Sequence, residues 1–120
     1  MADLSVHVRE VGTVSVVEPA GFINAHTVRQ FEGVLEDLVQ AGKYHILLNC
    51  RLLSYISSAG LGAIMGLIET VRENRGDIVL CELQDNVYTI FDTLGFTQLY
   101  KVFDSEQAAL EASATGERAL

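Results

Sequence analysis

The chain has a single proline, only two cysteines and half as many basic as acidic side chains, 8 Lys and Arg against 16 Asp and Glu. Each shortage excludes something. With one proline and ten glycines in 120 residues, the composition fits neither a collagen-like nor a low-complexity disordered chain. The formal net charge of -8 sets the surface field against phosphate backbones and anionic lipid, which makes nucleic acid a poor partner. No apolar run is long enough to span a bilayer, and the opening residues Met1 to His7 have neither the basic start nor the apolar stretch of a signal peptide. The expected setting is therefore the cytoplasm, without membrane contact. Cys50 and Cys81 sit in apolar, strand-like runs with no CxxC spacing and no clustered histidines, so the expectation is a buried, reduced pair and not a disulfide or a metal site.

Hydrophobic residues make up 49% of the chain, enough for one core at a length that leaves no room for a second. No repeat or linker interrupts it, so residues 1–112 read as one domain, with 113–120 as a loose C-terminal tail. Leu4, Val6 and Val8 alternate with Ser5, His7 and Arg9, and the turn at Val11-Gly12 predicts a hairpin into Thr13–Val17. Asn24 is the expected cap of a first helix that carries Val28, Phe31, Leu35, Leu38 and Val39 at helical spacing until Gly42. Tyr44–Cys50 is a nearly continuous apolar run, as a central strand covered on both faces requires. A short connection leads to a second helix with Leu61, Ile64, Leu67, Ile68 and Val71 on one stripe, and Asp77–Leu83 is the next strand. Asp85 is expected to cap a third helix ending at Gly95, Gln98–Val102 to form a short strand, and Asp104 with Gln107 to open a terminal helix. Right-handed crossovers make the later strands parallel. The fold class is α/β, a mixed sheet with an N-terminal antiparallel hairpin and about four helices.

Chemistry is concentrated in Ser54–Gly66, where small residues crowd a helix start. Ala59, Gly60, Gly62, Ala63 and Gly66 could serve close helix–sheet packing, with Ser57 as an N-cap. A second reading is a switch: a serine pair at a helix start lies beside unpaired N–H groups and the positive end of the dipole, where an added phosphate is tolerated. Gly60-x-Gly62 is a weak match to a dinucleotide fingerprint, because Met65 stands at its third position and several residues separate Cys50 from Gly60. Hydrolysis is disfavoured as well. Ser57-Ser58 lacks the G-x-S-x-G frame, and His7, His26 and His45 fall in different elements without a clustered acid.

The segments Gly21–Thr27, Ile46–Asn49, Tyr55–Gly62 and Ile90–Phe96 together resemble the STAS domain, specifically the anti-sigma factor antagonists of bacteria, over nearly the whole chain. The resemblance implies a non-enzymatic binding module that needs no cofactor. Its partners would be an anti-sigma factor serine kinase, which phosphorylates it, and a metal-dependent serine phosphatase, which resets it; the expected state is a monomer or weak homodimer. The acceptor corresponds to Ser58, with Ser57 as the alternative. Partner contacts correspond to Asn24, His26, Thr27, Ser57, Ser58, Ala59, Gly60 and Leu61 and to the exposed side of the second helix. Where the family commonly has aspartate, this chain has Ser57 before the acceptor and Asn24 in the turn before the first helix, so two charges are missing. The other reading the resemblance allows is a constitutive STAS scaffold in a larger signalling assembly, with serines that only cap the helix.

Overall fold

The computed structural model describes residues 3–114. The chain runs β1 (Leu4–Val11), β2 (Val14–Ile23), α1 (Val28–Gln40), β3 (His45–Asn49), β4 (Leu53–Ile56), α2 (Ser58–Glu73), β5 (Asp77–Cys81), α3 (Asp85–Thr93), α4 (Phe96–Leu99), β6 (Val102–Phe103) and α5 (Glu106–Ala114). The sheet order is β1-β2-β3-β5-β6, with β4 pairing β2 off that path. β1 and β2 are antiparallel, and every other pairing is parallel. The α/β class, the hairpin and the central place of the Tyr44–Cys50 run are as the sequence predicts. There are five helices among the described residues, one of them the single turn α4.

Alternation along the parallel strands divides the core in two. Val17, Ile46, Leu48, Ile78 and Leu80 face a large cluster with Phe31 and Leu35 of α1, Leu61 and Ile64 of α2, and Val87 and Phe91 of α3. Their neighbours Val14, Val16, Leu47, Val79 and Cys81 face the opposite way, onto Ala109 and Leu110 of α5. Helices therefore cover both faces, which is why β3 and β5 tolerate almost unbroken apolar sequence.

β2 is the longest strand and serves two neighbours in succession. Ser15–Val17 pair with β3, and Gly21–Ile23 pair with β4. The only proline, Pro19, falls in the interval between these two pairings, where its missing N–H leaves no ladder position empty on that side. The register shifts between Gly21 and Phe22. Gly21 has φ +115, and a Cβ there would collide with the Asp3 carbonyl, so the irregularity requires glycine.

Several boundaries differ from expectation. The stretch between Cys50 and α2, read as a connection, holds β4. Gln98–Val102, read as a strand, is divided between the end of α4 and the start of β6, because Phe96 is buried edge-on to Phe91 and stacked on Tyr100, which holds the chain in a helical turn. α3 is preceded by Gln84, so Asp85 is its first residue and not its cap. α5 is capped by Ser105, whose Oγ accepts from the Ala108 N–H (3.1 Å), so Asp104 lies outside the cap. α5 also continues through Ser113 and Ala114; the rest of the expected tail, 115–120, lies outside the described residues.

Candidate functional site

The pairing of Ile23 with Ile56 brings two turns together at one end of the sheet, Asn24–Thr27 after β2 and Ser57–Ser58 after β4. The Ser57 N–H donates to the Ile23 carbonyl (2.8 Å), which fastens the second turn to the first.

Asn24 does not cap α1. It closes the turn before it: its Oδ1 accepts from the N–H groups of His26 (2.9 Å) and Thr27 (3.2 Å), and its carbonyl accepts from Val28 (2.8 Å). The N-cap is Thr27, whose side chain makes no cap bond and instead donates from Oγ1 to the Phe22 carbonyl (2.7 Å) while accepting from the Asn24 N–H (2.9 Å). An asparagine two residues before the residue it bonds is the geometry of an Asx turn, so the side chain rigidifies the loop. His26 and Ala25 are exposed on it, Asn24 is half-buried and Thr27 is buried.

The serines divide sharply. Ser57 is the N-cap of α2, in extended conformation, but its side chain makes no cap bond. Its Oγ is buried without a hydrogen-bond partner. Ser58, the first residue of α2, is exposed. A hydroxyl that must meet another molecule is therefore available at 58 and withdrawn at 57. The Ser58, Ala59 and Gly60 N–H groups belong to the first turn of the helix, which gives the position the partial positive charge of a helix start.

The small residues of α2 fall into two sets. Gly60 faces inward, where a Cβ would come within 2.6 Å of Ile56 Cγ1 and 2.7 Å of Ile23 Cγ2. It lets the helix start lie against the two strands that carry the turns. Leu61 and Ala63 are buried beside it. Ala59, Gly62, Met65 and Gly66 are exposed, and added methyl groups at Gly62 and Gly66 would meet nothing. Close packing thus accounts for Gly60 and Ala63 only. Of the eight residues expected at the contact surface, Thr27, Gly60 and Leu61 are buried in the domain and support it; His26, Ser58 and Ala59 are exposed, and Asn24 and Ser57 are half-buried.

Three further side chains lie exposed on the elements that carry the turns and are not expected as contact residues from the sequence. Phe22 and Tyr55 are direct cross-strand neighbours, and both remain about two-fifths exposed, at 41% and 43%. Met65 is 52% exposed one helical step beyond Gly62. Their signal is an apolar residue on the outward phase of its element, readable once the phase is known.

Other chemistries find little support here. Cys50 and Cys81 are free thiols in the two separate core clusters. Burial pushes Cys50 far above the ordinary thiol range, and burial, helped by Glu82, pushes Cys81 up to about 12. Neither is a thiolate at neutral pH. Among the described residues no cluster of three or more His, Cys, Asp and Glu could hold a metal ion, and no helix is long and apolar enough to cross a membrane. The strongest polar cluster lies on the α5 side. Glu106 Oε1 accepts from Arg9 Nη2 (2.6 Å) and Asn49 Nδ2 (2.9 Å), while the Glu106 N–H donates to Glu82 Oε2 (2.8 Å). The Arg9 hydrogen bond, opposed by partial burial, holds the Glu106 carboxyl below its ordinary 4.5.

The chain is similar to BtrV of Bordetella bronchiseptica, provisionally named an anti-sigma factor antagonist, at 35% identity over 79% of this chain and 82% of that one. It is 24% identical to the anti-sigma F factor antagonist of Paenibacillus polymyxa, over 90% and 93% of the two chains. Among solved structures, an anti-sigma factor antagonist of Mycobacterium paratuberculosis superposes with a TM-score of 0.83 at 17% identity, covering 92% of this chain and 93% of that one. The Bacillus cell fate determinant SpoIIAA in its phosphorylated form superposes with a TM-score of 0.71 at 19% identity, over 91% and 99%. The STAS domain family matches residues 5–109, the span from β1 to α5 that forms the sheet and both of its helical layers, and the chain belongs to that family.

Proposed function

We propose that this protein is an anti-sigma factor antagonist whose affinity for its partner is switched by phosphorylation of Ser58. Unmodified, it binds an anti-sigma factor serine kinase through the Asn24–Thr27 turn, Ser58 and the outward face of α2, where Ala59, Gly62 and Gly66 permit close approach. The observation that carries the reading is the contrast between the exposed Ser58 and the buried Ser57 Oγ. The names of the relatives and the phosphorylated form of a structural neighbour support it.

The physics is local. A phosphate at Ser58 adds about 1.5 to 2 negative charges beside the unpaired N–H groups of the helix start, so the fold is left intact. The same charge meets any partner seated on the turn. If repulsion and desolvation there cost about 3 kcal/mol, affinity falls roughly a hundredfold. A metal-dependent serine phosphatase would restore the binding form.

Incubation with an anti-sigma factor kinase and ATP tests this. One phosphate is expected by intact mass, retained in Ser57→Ala and lost in Ser58→Ala, and Ser58→Asp should weaken kinase binding by one to two orders of magnitude. Kinase binding with no phosphate gained would instead identify a constitutive scaffold.

A further inference from the structure

α5 seals the second core cluster with little apolar surface of its own. Of residues 106–113 only Ala109 is buried, and Leu110, the one large apolar side chain of the helix, is half-buried. By contrast α1 buries Phe31, Leu35 and Leu38, and α2 buries Leu61, Ile64 and Val71. The strand residues in the cluster with Ala109 and Leu110 are nevertheless closed off as fully as any in the domain, with Val16, Leu47 and Cys81 at most 1% exposed.

The polar ties of α5 to the sheet gather at its first turn. Glu106 Oε1 takes Arg9 Nη2 of β1 (2.6 Å) and Asn49 Nδ2 of β3 (2.9 Å), and the Glu106 N–H donates to Glu82 just beyond β5 (2.8 Å). Asn49 is buried and fixed from its other side, where Oδ1 accepts the Arg51 N–H (3.0 Å). Glu18 of β2 completes the corner: it takes Arg51 Nη2 (3.1 Å) and lies 3.8 Å from Arg9 Nε. Further along, Gln107 bonds Glu111 and Ser113 bonds the Ala109 carbonyl, both within the helix, and no basic side chain in the last turn offsets the dipole. A helix of nine residues is shorter than the about 12–15 needed to persist alone in water, so leaving the sheet and melting are one event.

We infer that α5 is a strap that opens and closes on the sheet while the rest of the domain stays folded, with Glu106 as its latch. Opening gives up one buried alanine, one half-buried leucine and the bonds of the first turn, whereas displacing α1 or α2 breaks the large core cluster; elements with few buried apolar contacts open first. The open form presents Val14, Val16, Leu47, Val79 and Cys81, an apolar face on the side of the sheet opposite α2 and Ser58. The strap stands independently of the serine switch.

The two cysteines read the motion in the unaltered full chain. Cys81 lies beneath the first turn of α5, near enough for the charges of Glu82, Glu106 and Glu18 to act on it, while Cys50 is buried in the large cluster. Pulse labelling with N-ethylmaleimide, followed by peptide mass spectrometry, gives a rate for each. Cys81 is expected to react at least about tenfold faster than Cys50, with a weak dependence on low urea because opening a strap exposes little surface. Glu106→Gln should speed Cys81 about threefold and Leu110→Ala about tenfold. Ile64→Val loosens the large cluster and lowers the urea midpoint, and should leave the Cys81 rate within about twofold. Equal rates for the two thiols, a Cys81 rate that climbs with urea as steeply as global unfolding, acceleration of Cys81 by Ile64→Val in step with the lost stability, or indifference to both α5 variants overturns the proposal.

Discussion

At the scale of single residues, the decisive feature is how differently two adjacent serines are treated. Both were legible as candidates, because serine is a favoured helix cap and a helix start tolerates an added anion. Which one reaches solvent was not, since that depends on the direction in which β4 delivers the chain, a tertiary property. The same applies to Glu106, which reads as an ordinary first-turn acid until Arg9, 97 residues away, is found on its Oε1. Because the folded Glu106 carboxyl lies below its ordinary 4.5, its contribution to stability is complete above the unfolded value and is lost as pH falls through the lower folded one. Urea midpoints measured from about pH 7 down to about pH 3 should therefore decline less steeply for Glu106→Gln than for the wild type. An identical acid limb in the two proteins would remove Glu106 from the account.

At the scale of elements, the helices were readable from their apolar spacing and the ends were not. Asn24, Asp85 and Asp104 were expected as caps, but the residues that precede the helices are Thr27, Gln84 and Ser105, three places later, one earlier and one later. Several polar residues in a row offer equivalent local bonds, and packing of the first buried side chain chooses among them. β4 was missed for a related reason: four residues with one long-range partner carry little signal of their own. α2 offers a direct test of the two roles assigned to its glycines. Gly60→Ala gains helix propensity of up to about 1 kcal/mol but must displace Ile23 and Ile56, at a cost of about 1–3 kcal/mol, so a net loss of stability is expected. Gly62→Ala meets open space and should stabilise by about 0.5–1 kcal/mol. Denaturant titration of the pair checks the sign of each, and a stabilised Gly62→Ala that also binds the kinase less well would support the contact face of α2.

At the scale of the whole molecule, the central place of β3 and its cover on both faces followed from the chain's own pattern, because its run is apolar on both phases and must be covered twice. The branching of the sheet did not follow, and it governs how the molecule would respond to events at the serine turn. β4 is attached to the sheet only through the last three residues of β2, while β3 and β5 form a separate ladder of five residue pairs. The serine turn therefore hangs from a spur and not from the trunk. A disturbance at Ser58 can relax by loosening that spur and the Asn24–Thr27 loop fastened to it, leaving the trunk untouched. Native-state amide exchange should accordingly be faster in residues 22–27 and 53–57 than in 45–49 and 77–81, as expected for a low-lying local opening. Equal rates would mean that the spur and trunk open as one unit. A protein built this way can change its face to the outside many times over without ever risking its keel.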